Sequence, residues 1–407
     1  MTQFLRSLGP GLLFAGASIG VSHLIQSTRA GGLYGLAAFV PILLAMLIKY
    51  PAFLLGPLYT EVSGKTLLQG YREQGKWALA IVCLVVLPSM FSVIAALALL
   101  TSAFIMAAFS IEAPIIMVAS VLVFCLSLLS IVGGVEGLKK IIKPIAALMG
   151  LGAIFITFAS ISRIDFSKAT YSFNALLDFK NFPFLLALMG WMPAGMELPL
   201  LHSLWIQKKK QSHVESYFKK DFDFGYLFTL VFALCFVFVG LGVLFQMKAQ
   251  LPGSPAGFSI GLLKVFSSII GEAWIPLVSM GMIAILFSTL LAVADGFPRV
   301  IADLVPEIVP KKQSLIVTYF IQWLGAILVM SFFGDSIKAM IDVVTMISFL
   351  TAPVFAFLNH RCFYGLGEEA KVAMNEKFEL FSKLGILMLI VFSLIFVISK
   401  VTKYWQG

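Results

Sequence analysis

Glu197 is a carboxylate inside an apolar run that extends from Leu185 to Leu200. An ionisable group at that depth in lipid is costly, so it should meet an ion, a solute or a fixed partner such as Arg29 or His23. A second set of polar side chains, Ser22, His23, Gln26 and Arg29, follows another apolar run near the N-terminus. Ser22, Gln26 and Arg29 are spaced i, i+4, i+7 and share one helical face. His23 is either a ligand or a helix–helix hydrogen-bond donor. Arg29, and Lys49 further on, are read as snorkelling to the membrane interface. Asp342, Thr345 and Ser348 form a polar line on one helix. That line either closes a cavity, with Thr345 as a contact, or bonds to neighbouring helices. Asp295 and Arg299 are an i, i+4 pair suited to a gate. His202 and His213, beside a basic loop, are read as solvated.

The elements that must hold these groups are two interrupted helices. Gly20-Val21-Ser22 puts a weak helix former, a β-branched residue and a backbone competitor in succession. Later, Pro193 removes a helical N–H, and Gly195 and Pro199 compound the interruption. Lipid cannot satisfy freed N–H and C=O groups, so both breaks must face protein or a water-filled cavity. A half-helix starting near Ser22 presents N–H groups and a positive dipole end to an anion. The carbonyls around Ala17 to Gly20 suit a cation. Glu197 is expected in the first turn of the half-helix after the second break.

Composition sets the environment: 60% of residues are hydrophobic and 12% charged. Apolar runs of at least about 18 residues, each enough for a hydrocarbon core of roughly 30 Å, recur throughout. We read an all-α integral membrane protein with eleven spans: Leu8–Leu33 (broken), Leu36–Leu58, Trp77–Ala108, Ala113–Val132, Ile141–Ile161, Phe182–Trp205 (broken), Phe224–Met247, Ala273–Ala294, Leu315–Phe333, Ala339–Leu358 and Leu380–Ser399. The breaks fall in spans one and six, so two five-span halves, residues 1–162 and 163–379, form a 5+5 inverted repeat. Residues 380–407 add a last span and a tail. With the N-terminus inside, 19 of 29 basic residues, among them Arg6, Lys208, Lys209 and Lys210, fall on the inner side and 8 outside, which predicts an inner-membrane protein with its C-terminus outside. The net charge of +9 then reads as topology and attraction to lipid head groups, not as a nucleic-acid surface. Four isolated cysteines predict no disulfide, and no nucleophile–base set points to an enzyme or cofactor.

Gly9-Pro10-Gly11 before the first break, and Ala30-Gly31-Gly32-Leu33-Tyr34-Gly35 after it, resemble the first helix of the Nramp family of divalent-metal transporters. Met192-Pro193 resembles that family's Met-Pro-His motif. Gly190-Trp191-Met192-Pro193, with Glu197 a few positions later, is similar to an Nramp-related bacterial branch. The resemblance implies a LeuT-like fold and secondary-active transport. It departs at the site: the family's Asp-Pro-Gly-Asn motif falls on Gly20-Val21-Ser22-His23, and its Met-Pro-His histidine on Ala194. The third span also lacks an acidic residue.

These readings predict a transporter that carries a small ion across the bilayer by alternating access, with spans one and six rocking against the rest. The first choice of cargo is a divalent metal cation held by His23, Met192 and Glu197, a mixed N, S and O set. Gly20, Ser22 and Thr345 complete the candidate contacts. The alternative is a small anion or carboxylate on the half-helix N-termini. A passive channel is the remoter reading, since polar residues form only short clusters.

Overall fold

Runs of apolar residues become long helices, and the two runs rich in helix breakers become pairs of short ones. The computed structural model describes residues 10–166, 173–178, 180–207, 218–245, 254–304, 311–334 and 336–406. The first interrupted helix is α1 (Pro10–Ser18), a π-helical turn (Ser22–Ser27) and α2 (Thr28–Tyr34). Then come α3 (Phe39–Ser63), α4 (Leu67–Gln74), α5 (Lys76–Phe109), α6 (Ile115–Ile161) and α7 (Phe173–Leu177). The second interrupted helix is α8 (Phe182–Gly190) with α9 (Leu198–Gln207). It is followed by α10 (Phe218–Val239), α11 (Pro255–Ile270), α12 (Ile275–Leu304), α13 (Lys311–Phe333), α14 (Ile337–Tyr364), α15 (Glu368–Ala373) and α16 (Glu376–Gln406). Among the described residues, eight helical stretches are long and apolar enough to cross a membrane. Gly9, Arg6, Lys208, Lys209, Lys210 and His213 lie outside the described residues.

Apolar side chains cover the outside as well as the core. On α16, Leu380, Leu384, Leu387, Val391, Leu394 and Ile398 are all exposed at alternating spacings of four and three. That is one face of a helix, and so continuous an apolar stripe suits lipid. Inside, α10 packs along α1, α14 lies against α8 and α3, and α12 lies against α5 and α6. Both interrupted helices are thereby enclosed. The backbone N–H of Gly11 at the start of α1 donates to Asp221 Oδ2 of α10 at 2.9 Å, which ties that end to its neighbour.

Two features depart from the sequence reading. The expected spans Ala113–Val132 and Ile141–Ile161 run together as α6, 47 residues without a terminator. At 1.5 Å per residue this is roughly 70 Å, over twice a hydrocarbon core. Gly133 and Gly134 stay helical and Pro144 sits within the helix, so the expected loop at residues 133–140 is absent. No expected span covers α11, a 16-residue apolar helix capped by Ser254, whose hydroxyl accepts from Gly257 N–H.

Candidate functional site

The first break falls where the residue types require it. α1 ends at Ser18, and Ile19 and Gly20 are not helical. The carbonyls of Gly16 and Ile19 are left at the break, and side chains from α12 cover them. Thr289 Oγ1 lies within bonding distance of both, 3.2 Å from Gly16 O and 2.8 Å from Ile19 O, and Ser288 Oγ lies 3.3 Å from Gly16 O. Four neutral oxygens thus converge at one helix end. On the other side of the break, the π-helical turn starts at Ser22, and Val21 before it gives no side-chain cap.

The second break spans Trp191 to Glu197. Pro193 has no N–H to offer the carbonyl of Met189 in a helical bond. The Met192 N–H donates to Met189 O at 3.3 Å, and Lys49 adds a charged donor: its Nζ lies 2.6 Å from Met189 O and 2.7 Å from Gly190 O. This corrects the reading of Lys49 as a snorkelling residue, because it points inward and is fully buried. The sequence held a signal for this. Lys49 is four residues after Ala45 and three before Ala52, on the buried small-residue face of α3, whereas Leu43 and Leu47 form the exposed face.

The two breaks meet. A cavity of about 50 Å³ is lined from the first by Ala17, Ser18, Gly20, Val21 and Ser22, and from the second by Trp191, Ala194, Gly195, Glu197 and Leu198. Thr289 of α12 and apolar residues of α5 and α12 close its sides. Glu197 is 5% exposed and its Oε2 is buried without a hydrogen-bond partner. It sits just before α9 rather than within its first turn, and its carboxylate folds back over Gly195 so that a Cβ there would collide with it. Trp191 is fixed by its Nε1, which donates to Ser348 Oγ at 2.9 Å.

Of the residues singled out from sequence, Gly20, Ser22 and Glu197 line this cavity, whereas His23, Met192 and Thr345 do not. His23 is fully buried, with Nδ1 2.9 Å from Ser22 Oγ and Nε2 without a partner. Met192 is buried in the apolar core. Thr345 donates its hydroxyl to Ile341 O of its own helix at 2.7 Å. The polar line of α14 therefore bonds to helices: Ser348 to Trp191, and Asp342 to Arg29 and Gln26. Arg29 does not reach outward; it pairs with Asp342 at 2.8 Å and lies 4.6 Å from the Phe184 ring centre. Asp295 and Arg299 pair as expected at 2.6 Å, and Tyr319 OH donates to the same carboxylate at 3.2 Å. His202 is fully buried beside Phe14, Trp205, Phe218 and Phe222, not solvated. Thr289 and Lys49 are the site residues that sequence reasoning missed. No group of three or more His, Cys, Asp or Glu side chains suited to a metal ion occurs among the described residues.

This architecture, two interrupted helices meeting inside a bundle of long apolar ones, is that of a multi-pass membrane protein with the LeuT-like fold. MhsT in complex with L-phenylalanine superposes with a TM-score of 0.74 at 16% identity, over 97% of this chain and 98% of that one. The Eremococcus coleocola manganese transporter, in complex with an aromatic bis-isothiourea substituted compound, gives 0.73 at 14% identity, over 99% and 88%. Mhp1, a nucleobase-cation-symport-1 family transporter, gives 0.57 at 12%, over 96% and 93%. At these identities the likeness establishes the fold. No family model matches the chain. It is 30% identical over 407 residues, 97% of this chain and 92% of the relative, to the uncharacterized protein PM0681 of Pasteurella multocida (strain Pm70), and the chain belongs to that protein's family.

Proposed function

We propose that the chain is a secondary transporter that moves a small cation by alternating access, with the cavity between the two breaks as its cargo site. The observation that carries this reading is Glu197: a buried carboxylate with one unpartnered oxygen, on a residue that lines the space where both broken helices end. A buried carboxylate needs a positive partner, and a cargo cation would be one. Around it the cavity is lined by the hydroxyl-bearing Ser18, Ser22 and Thr289 and by Ala17 and Gly20. That is an oxygen set, which suits a hard or borderline divalent ion rather than the N, S and O set expected from His23 and Met192. The resemblance to the Eremococcus coleocola manganese transporter supports a divalent cargo. Two inverted halves, residues 1–162 and 163–379, rocking about the breaks with the N-terminus inside, complete the proposal.

A second reading has its own support. The uncapped start of the π-helical turn lines the same cavity and would suit a small carboxylate.

The test is uptake into proteoliposomes of Mn²⁺, Mg²⁺, Na⁺ and a small carboxylate, for wild type and Glu197→Gln. Saturable cation uptake that responds to an opposing gradient and is lost in the variant is expected. Saturable uptake of the carboxylate alone would favour the second reading. Unsaturable flux would point to a channel.

A further inference from the structure

The two breaks are finished in different ways. Both leave carbonyls at the C-terminal end of a half-helix, where the dipole is negative and a cation is favoured. At the first break the covering groups are the neutral hydroxyls of Ser288 and Thr289. At the second they are the N–H groups of a lysine that reaches in from α3, at 2.6 Å and 2.7 Å from two successive carbonyls. The Phe349 ring of α14 lies 5.8 Å from the same nitrogen, presenting a further partner for positive charge. No solvent reaches this side chain: Lys49 is fully buried.

We propose that the C-terminal end of α8 is a cation site that the chain fills with its own lysine, so that Lys49 does from within the protein what a bound monovalent ion would otherwise do there. The class of ligand that the place accepts follows from its partners. Two carbonyl oxygens at a helix C-terminus and an aromatic face suit Na⁺, K⁺ or a small primary ammonium. Because this cation is tethered, the second break needs no mobile ion to keep its carbonyls satisfied. The inference goes beyond the cargo reading and holds whichever solute moves.

The experiment uses the full chain, purified in detergent, with thermal unfolding as the readout and no divalent ion or carboxylate solute present. Lys49→Ala should melt lower than wild type in buffer whose only cation is a bulky quaternary ammonium. Addition of Na⁺ or ethylammonium should then raise its melting temperature saturably, by more than the same addition raises that of wild type. Lys49→Met, whose stem still occupies the space, should melt low and not be rescued. Equal rescue of Lys49→Ala by uncharged propanol or acetamide would overturn the proposal, as would no rescue by any small cation. Should Lys49→Ala yield no folded protein in cation-poor buffer, purification with sodium or ethylammonium throughout is the same test. Folded protein only with the small cation supports the site, and none under either condition overturns it. Because rescue is scored against wild type, which has the same Glu197 cavity, failure here leaves the Glu197 reading standing, and failure of uptake leaves this one standing.

Discussion

Arg29 holds Asp342 with both ends of its guanidinium, Nη1 to Oδ1 at 2.8 Å and Nη2 to Oδ2 at 3.3 Å. Gln26 joins them: its Oε1 accepts from Arg29 Nη1 at 2.7 Å and its Nε2 donates to Asp342 Oδ1 at 3.1 Å. Arg29 belongs to the first interrupted helix and Asp342 to α14, so the pair ties the half-helix beyond the break to a long span. The proposed rocking of the broken helices would have to release this tie. The two side chains are 10% and 28% exposed. Removing either partner should therefore cost about 1–3 kcal/mol, short of the ~3–5 kcal/mol of a fully buried pair. Thermal unfolding of Arg29→Ala, Asp342→Ala and the double variant should show a coupling, the double variant losing clearly less than the two singles together. Additive losses would mean that the pair does not hold the half-helix.

Glu197→Gln keeps the shape of the side chain and removes its charge. If the carboxylate contacts a cation, the loss of a charged contact worth about 1.5–3 kcal/mol lowers cargo affinity by roughly 10- to 150-fold. Isothermal titration with the cation that saturates uptake measures it. Retained affinity in the variant would place the cargo elsewhere.

Thr289 covers two carbonyls with one hydroxyl. Thr289→Val keeps the volume and leaves the carbonyl of Ile19 without that donor, while Gly16 O keeps Ser288, at a cost of about 1–3 kcal/mol for a group stranded by the loss of a partner. Thr289→Ser should recover most of it. Hydrogen exchange should quicken at the end of α1 in the valine variant and not in the serine one. Unchanged exchange in both would show that the hydroxyl is not what finishes the helix.

The breaks were legible because their causes are local. Gly20 and Ser22, then Pro193 and Gly195, disrupt a helix through their own backbone chemistry, and hydropathy places them mid-span. What covers the loose carbonyls was not legible in the same way. Lys49 is 140 residues from Met189 and Thr289 is 270 from Ile19, so those contacts are set by tertiary packing. The snorkelling rule failed for Lys49 and Arg29 for a shared reason: each has an inward partner of opposite character, carbonyl oxygens for one and Asp342 for the other. The continuity of α6 through residues 133–140 was missed because glycines that often end helices stay helical there.

Gly190 and Gly20 test how closely the broken helices are packed. A Cβ on Gly190 would overlap the backbone carbonyl of Thr345, which cannot move without shifting α14. A Cβ on Gly20 would come within 2.8 Å of Thr289 Oγ1 and 3.0 Å of its Cγ2, both side-chain atoms. Gly190→Ala should therefore destabilise more than Gly20→Ala, with overpacking costing typically ~1–3 kcal/mol and more where backbone is the obstacle. Thr289→Ala should relieve part of the Gly20→Ala loss and none of the Gly190→Ala loss. Equal melting temperatures for the two alanine variants would mean that α8 and α14 are less tightly joined than the structure has them.

His23 and Met192 separate the oxygen-lined site from the mixed ligand set that the sequence suggests. Neither lines the cavity, and both are fully buried. Met192→Leu conserves volume and polarity, so it should cost under about 1.5 kcal/mol of stability and leave cargo affinity unchanged within the error of titration. His23→Gln should lower stability, since Ser22 Oγ loses its 2.9 Å partner, while affinity stays close to wild type. The two readings diverge on Met192 most cleanly. A thioether ligand replaced by leucine removes a donor atom from the metal, so affinity for a soft ion such as Cd²⁺ would drop while that for Mg²⁺ would hold. The oxygen-lined cavity predicts no such divergence between the two ions.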